Sequence, residues 1–398
     1  MRVLIDCTSI TRNKAGVGVY AKNLVEELIR LPDGPEYFLL VQDDDPELDL
    51  TGRPNVTMIK VRARIFRKLP LRFLLEQLLL PRLLVVHRID VVHSLHYSFP
   101  LIRFGTKQVV TLHDMTFFNM PHAHEMVKKI YFRFFIRADV RFADKVIFDS
   151  HSSLTDCTSR LGPLRGAGTV VHLGKSEAFH TNLAKSEIRR VREKYGLGAE
   201  FVLFVGTIEP RKNLSRLVSA FAAVCEKHPG LLLAIAGMKG WMYDGLMETV
   251  KGLHLESRVI FTGFVPEEEK PFLIAAAKVF AYPSLYEGFG IPVLEALACG
   301  IPTVTSNVSS LPEVAGDAAL TVDPYSVAEL SSALEKLISD EPLRERLTRE
   351  ASRQAAKFTW TKTAIMTLEA YNEVLAPRSS SRAGKNHRSL SDRIADHE

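Results

Sequence analysis

The sequence predicts an α/β protein built from two Rossmann-like domains in tandem, and three observations carry that prediction. At 398 residues the chain exceeds the roughly 250–300 residues at which a single core stops growing. Short Val/Ile/Leu runs alternate with helical periodicity, as parallel strands covered on both faces require. The strand–helix series then starts over near residue 200, after the charged stretch KSEIRRVREKYGLG at 185–198.

The first series opens with RVLID (2–6), a glycine-bearing loop, and a helix whose Leu24, Val25, Leu28 and Ile29 share one face. The runs YFLLV (37–41), DVVHS (90–94), QVVTLH (108–113), KVIFDS (145–150) and TVVHL (169–173) continue it. The second series begins with FVLFVG (201–206) and a helix starting near Asn213, with Leu214, Leu217, Val218, Phe221 and Cys225 at helical spacing. LLLAIAG (231–237), RVIFTG (258–263), KVFAYPS (278–284) and TVTS (303–306) follow. Ser326 and Glu329 form a capping-box pattern ahead of Leu330 and Leu334. A last helix follows Trp360, and the polar stretch from Ala376 onward is expected to be a disordered tail. The expected division is 1–175, 176–357, a helix at 358–375 and the tail at 376–398.

Composition is that of a globular protein, with 46% hydrophobic and 24% charged residues, which excludes a collagen-like or wholly disordered chain. Four scattered cysteines without a CxxC pair argue against a disulfide framework or a zinc ribbon. The opening MRVLIDC reads as a strand rather than a signal peptide, so a cytoplasmic location is expected. No apolar run reaches 18 residues, the length of a membrane-spanning helix. Charge is unevenly placed. Lys60 to Arg88 holds eight cations and one acid, Glu76, a net +7 in a chain whose total is +5. This leucine-rich segment reads either as an amphipathic helix with solvated arginines or as a patch that adheres to an anionic membrane surface.

Chemistry is concentrated just after the strands, where α/β sheets bind ligands. In SLYEGFGIPVLEALACG (284–300), Gly288-Phe289-Gly290 is a flexible loop and Pro292 suits the first turn of a helix. The backbone N–H groups of Phe289, Gly290 and Ile291, with the positive end of the helix dipole, would suit a phosphate. Glu287 and Glu295 flank that loop. Arg211 and Lys212 stand between a strand end and a helix capped by Asn213, a position from which paired cations can neutralise a diphosphate without a metal. Gly16-Val17-Gly18-Val19-Tyr20-Ala21 fits a GxGxxA pattern, but it lies too far past the first strand for a tight dinucleotide turn, so a mobile loop over a ligand is expected. His113-Asp114 directly follows a strand. His93 and His96 are poorly spaced for a metal, His122 and His124 read as loop residues, and Asp43-Asp44-Asp45 reads as a solvated loop.

Taken together, these residues resemble the retaining glycosyltransferases of family 4. The resemblance covers residues 1 to 375, and its most specific element is the E-x7-E motif from Glu287 to Glu295. Gly16 and Gly18, His113-Asp114, the DSHSS stretch after KVIF, VHLG (171–174) and GTIEPRKN (206–213) also match. Many members carry Gly-Arg where this chain has Gly206-Thr207. The GTIEPRKN and SLYEGFGIPVLEA segments look most like bacterial mannosyltransferases that use GDP-mannose.

The resemblance implies GT-B architecture: two Rossmann-like domains facing across a cleft, with the C-terminal helix packing back on the first. It implies a nucleotide-sugar donor, a glycan or lipid-linked saccharide acceptor, no metal cofactor and no nucleic-acid partner. It assigns catalysis to Glu287 and His113. Donor binding falls to Gly16, Gly18, Arg211, Lys212, Phe289, Gly290, Ile291 and Glu295, the last on the ribose. It also suits a peripheral position on the cytoplasmic face of a membrane, through 60–88. Two other classes stay open. A Rossmann oxidoreductase explains GxGxxA but not the basic turn, and a non-catalytic nucleotide- or polyanion-binding protein could use the basic patch alone.

Overall fold

The computed structural model describes residues 1–10, 16–121, 125–240 and 243–377. The tail from residue 378, His122, His124 and the loop residues before Gly16 lie outside them. The chain divides into two compact units: Met1–Gly174 together with the chain from Thr359, and Lys175–Phe358. Among the described residues no helix is long and apolar enough to cross a membrane.

Seven strands form the sheet of the first unit: β1 (Arg2–Asp6), β2 (Glu36–Gln42), β3 (Val56–Val61), β4 (Val91–Ser94), β5 (Lys107–Leu112), β6 (Lys145–Phe148) and β7 (Ala167–Val170). Their order is 3-2-1-4-5-6-7, all parallel. Central strands are buried along their length because helices cover both faces, which is why they read as unbroken apolar runs. β3 was hidden in the sequence: it is an edge strand, half-buried, with Thr57 and Lys60 facing solvent. β7 ends earlier than TVVHL suggests, because its one neighbour, β6, stops at Phe148. His93 lies within β4, fully buried, its Nδ1 2.7 Å from the Tyr371 hydroxyl and its Nε2 2.8 Å from Thr111 Oγ1. Tyr371 belongs to the helix Trp360–Leu375, which returns the chain to this unit beside the helix Val17–Arg30.

The second unit holds β8 (Phe201–Val205), β9 (Leu232–Ala236), β10 (Val259–Gly263), β11 (Val279–Tyr282), β12 (Thr303–Ser306) and β13 (Ala319–Val322), parallel in the order 10-9-8-11-12-13. In both sheets the order reverses beside the first strand, between β1 and β4 and between β8 and β11. Such a reversal opens a crevice at the carboxyl ends of the strands, because the two following connections run to opposite faces. The loops after β8 and β11 carry Arg211, Lys212 and Glu287.

The segment 60–88 departs from the reading of an amphipathic helix whose arginines are all solvated. Its long helix, Leu69–Val86, buries Leu80 and Leu84 against Leu4, Leu40 and Val92 of the sheet. Its cation Arg72 is also buried, paired with the fully buried Glu76 and donating to Ser98 Oγ at 2.9 Å. Arg67 pairs with Asp44 at 2.6 Å and Lys60 with Asp49 at 2.7 Å. The Asp43–Asp45 loop is solvated in part: exposed Asp43 accepts from the Ala63 N–H, half-buried Asp44 pairs with Arg67, and buried Asp45 accepts from the Glu47 N–H.

Candidate active site

In the second unit, β8 and β11 run side by side, so the turns that follow them meet. The Leu285 N–H donates to the Arg211 carbonyl at 2.8 Å, which locks the two loops together. Arg211 then reaches Glu287 Oε2 at 2.6 Å and the Tyr286 carbonyl at 2.8 Å, and Lys212 Nζ reaches Glu287 Oε1 at 2.6 Å. Both carboxylate oxygens of Glu287 thus accept from fixed cations, an arrangement stronger than neutral hydrogen bonds. The side chain is 8% exposed. Burial by itself would push this carboxyl up, but Arg211 and then Lys212 outweigh it and hold the pKa at about 2. Glu287 is ionised throughout the physiological range.

The cations are less available than the sequence suggests. Arg211 also spans Glu209, 2.6 Å from Nη2, so two cations and two carboxylates balance locally. Lys212 is buried, donates to the Tyr282 hydroxyl at 2.5 Å and sits 4.9 Å from the centre of that ring. Burial, then the neighbouring Arg211, lowers its pKa. Tyr282 was not identified from sequence. It closes strand β11 among apolar residues, and nothing in the run KVFAYPS marks its hydroxyl as part of a polar cluster.

Behind Glu287 lies the glycine loop. The helix Ile291–Ala298 starts at Gly290, whose φ is +113° and whose added Cβ would come within 2.8 Å of Leu311 Cδ2. Only glycine meets both demands. Ser310 Oγ donates to the carbonyls of Glu287 and Phe289, at 3.1 and 2.6 Å, and Ser309 Oγ accepts from the Glu287 N–H at 3.1 Å. These bonds fix the loop so that the first N–H groups of the helix, which have no acceptor within it, point outward from its start. Glu295, one turn into that helix, is buried and paired with Lys270 at 2.9 Å, while its Oε2 is buried with no protein partner. Burial raises its pKa to about 7, with Lys270 pulling the other way. Asn213 departs from expectation. It occupies the N-cap position in a left-handed conformation, φ +61°, but its side chain does not bond the helix backbone. Instead its Nδ2 donates to the carbonyls of Pro283 and Pro324, tying the turn after β8 to the loops after β11 and β13.

In the first unit, His113 follows β5 and is 6% exposed. Its Nδ1 lies 2.8 Å from Asp149 Oδ2 and its Nε2 2.9 Å from the Leu95 carbonyl. A carbonyl only accepts, so Nε2 carries a proton, and a carboxylate at Nδ1 draws the second. Burial disfavours the charged ring, but Asp149 outweighs it and raises the pKa of His113. Asp149 sits in the DSHSS stretch, which the sequence marked without giving it a role. Gly16 has φ +49° and precedes the helix Val17–Arg30; Gly18, expected in the loop, lies in the first turn of that helix, buried. Tyr20, three residues after Val17, sets its ring edge-on to His113 with centroids 4.9 Å apart.

Two doubly wound sheets, each carrying polar groups after its central strands, define a protein of the GT-B fold, and the chain belongs to the glycosyltransferases of that fold. Residues 15–174 match the family described as Glycosyltransferase Family 4 and residues 186–354 that described as Glycosyl transferases group 1. O-antigen chain mannosyltransferase B of Escherichia coli is 29% identical over 93% of this chain and 99% of its own length. The serotype-specific mannosyltransferase WbdA of Escherichia coli is 34% identical over 50% of this chain, which spans 25% of that longer protein. Among solved structures, sucrose-phosphate synthase from Thermosynechococcus elongatus superposes with a TM-score of 0.74 at 20% identity, covering 94% of this chain and 98% of that one. WaaG, a glycosyltransferase involved in lipopolysaccharide biosynthesis, does so with a TM-score of 0.71 at 17% identity, covering 95% and 100%. The oxidoreductase and non-catalytic alternatives give way to a glycosyltransferase.

Proposed function

We propose that this glycosyltransferase is a retaining mannosyltransferase, taking its sugar from a nucleotide-diphosphate donor, GDP-mannose, and delivering it to a glycan or lipid-linked saccharide acceptor. The observation that carries the reading is Glu287, an ionised and buried carboxylate held by Arg211 and Lys212 beside the start of the Ile291–Ala298 helix. In this reading the second unit, Lys175–Phe358, binds the donor and the first the acceptor.

As the bond to the leaving diphosphate breaks, positive charge grows on the anomeric carbon and negative charge on the phosphate. Glu287 meets the first, and holds sugar hydroxyls. Arg211, Lys212 and the N–H groups of Phe289, Gly290 and Ile291 meet the second, already oriented before the reaction begins. The acceptor hydroxyl attacks from the face the phosphate leaves, which retains configuration. Glu295 takes the ribose hydroxyls on its unpartnered oxygen. His113 contacts the donor sugar from the first unit, and Gly16 and Gly18 border the phosphates. No metal is needed in this scheme, since fixed cations and a helix terminus do its work. The relatives' mannosyltransferase activity supports mannose as the sugar. The enzyme acts at the cytoplasmic face of a membrane, meeting anionic lipid through 60–88.

The test is thermal stabilisation across a set of nucleotide sugars, because a ligand that binds only the folded state raises its melting temperature. GDP-mannose is expected to stabilise most, with and without EDTA, and to support turnover in EDTA. Stabilisation by UDP-glucose alone would overturn the donor, and turnover lost in EDTA and restored by Mn²⁺ would overturn the metal-free scheme.

A further inference from the structure

The outward face of the helix Leu69–Val86 is not the solvated arginine face that an amphipathic surface helix would show. Leu71, Leu74, Leu78 and Val85, at 3/4 spacing, are 41, 51, 63 and 53% exposed. With Leu80 and Leu84 buried on the opposite side, this helix is apolar on both faces. Two neighbouring elements extend the pattern. The loop 101–105 is tied to the helix through Gln77, whose Nε2 donates to the Phe99 carbonyl and whose Oε1 accepts from the Leu101 N–H. It displays Ile102 and Phe104 at 58 and 70% exposure. Phe104 has φ +47°, a conformation that a bulky side chain rarely adopts without a purpose. The helix Met126–Phe142 lies alongside, with the Phe73 ring 6.2 Å from that of Phe135, and presents Met126, Ile130 and Phe134 to solvent. A groove of about 440 Å³, lined by Leu78, Pro81, Val85, Ile102 and Phe104, joins the first helix to the loop.

Exposed apolar surface continuous over three elements marks a docking face, and its charge selects the partner. Arg64, Arg67, Lys68, Arg82, Lys128, Arg137 and Arg141 are exposed on the same two helices and the turn before them. Two copies of this chain meeting here would bring like charges together. Apolar side chains rimmed by Lys and Arg instead suit the interface of a bilayer carrying anionic headgroups. We infer that the helices Leu69–Val86 and Met126–Phe142 and the loop 101–105 form one face that inserts shallowly into an anionic membrane surface. This rests on the membrane contact proposed above and deepens it: the contact becomes apolar as well as ionic, reaches well beyond 60–88, and leaves buried Arg72 out.

Full-length protein is sedimented with vesicles of phosphatidylcholine alone and of phosphatidylcholine with phosphatidylglycerol, at low and high salt. Pelleting is expected only with the anionic vesicles, weakened by salt. The combined substitutions Ile102→Ser, Phe104→Asn, Ile130→Ser and Phe134→Ser, all at exposed positions, are expected to weaken that binding by about tenfold or more while thermal stability and donor turnover stay unchanged. Replacing Arg64, Arg67, Lys68 and Arg82 by Gln should weaken binding too, mainly at low salt. If this second variant loses binding and the first keeps it, the three-element face is wrong and the ionic contact through 60–88 stands. If the wild type ignores anionic vesicles, both fail, and turnover on a soluble acceptor still reports separately on the glycosyltransferase reading. A solution dimer split by the four apolar substitutions would assign the face to a second copy and overturn the inference.

Discussion

Glu287 shows why a residue's neighbours decide how it should be tested. Removing it by Ala would leave buried Lys212 without its carboxylate partner and Arg211 with Glu209 alone, and breaking a buried ion pair costs about 3–5 kcal/mol. The ion pairs make Ala damaging to the fold, and Gln, which keeps the shape, is the informative replacement. His113 carries a second residue-scale prediction. Its pKa is raised in the folded state by Asp149, so the pair adds stability that is fully present below the unfolded value of about 6.5 and is lost as pH rises through the folded value. Asp149→Asn is therefore expected to cost most, about 3 kcal/mol, near pH 6 and progressively less towards alkaline pH. Ring titration followed by NMR should show the His113 pKa falling. An unchanged titration would mean that Asp149 does not hold the proton.

At the scale of elements, legibility followed burial. β1, β8 and β9 were plain in the sequence because strands covered on both faces are runs of apolar residues with nothing to disguise them. β3 and β13 were missed since one is a half-exposed edge and the other is four residues long, with Thr321 turned outward. The glycine loop and the helix after it were legible through Gly290, Pro292 and Gly300, whose backbone demands are local. The partners of the site were not, because Tyr282, Asp149 and Lys270 lie 70, 36 and 25 residues of chain from Lys212, His113 and Glu295, the groups they serve, and spacing carries no signal at that range. The helix Leu69–Val86 misled for a related reason: its arginines look alike in sequence, yet Arg72 turns inward to Glu76. Arg72→Gln is expected to destabilise by about 3–5 kcal/mol, whereas exposed Arg64→Gln stays within about 0.5 kcal/mol. Denaturant unfolding of the two variants distinguishes them, and equal midpoints would contradict the inward placement.

Across the whole molecule, each unit repeats one device: a parallel sheet whose order reverses beside its first strand, with polar side chains gathered after the strands at the reversal. In the second unit that device brings together a carboxylate, two cations and a helix start. Retaining transfer from a nucleotide sugar asks for this combination, since opposite charges develop at the two ends of one breaking bond. In the proposed scheme the Glu287 carboxylate works on the sugar end of that bond. Its most direct test is the rate of mannose transfer from GDP-mannose by Glu287→Gln, measured beside GDP-mannose affinity and thermal stability. Turnover is expected to fall by about 10²-fold or more in protein that is still folded, though less stable for the loss of the Arg211 and Lys212 ion pairs, with affinity changed far less. Turnover near that of the wild type in a folded, donor-binding Glu287→Gln protein would contradict it.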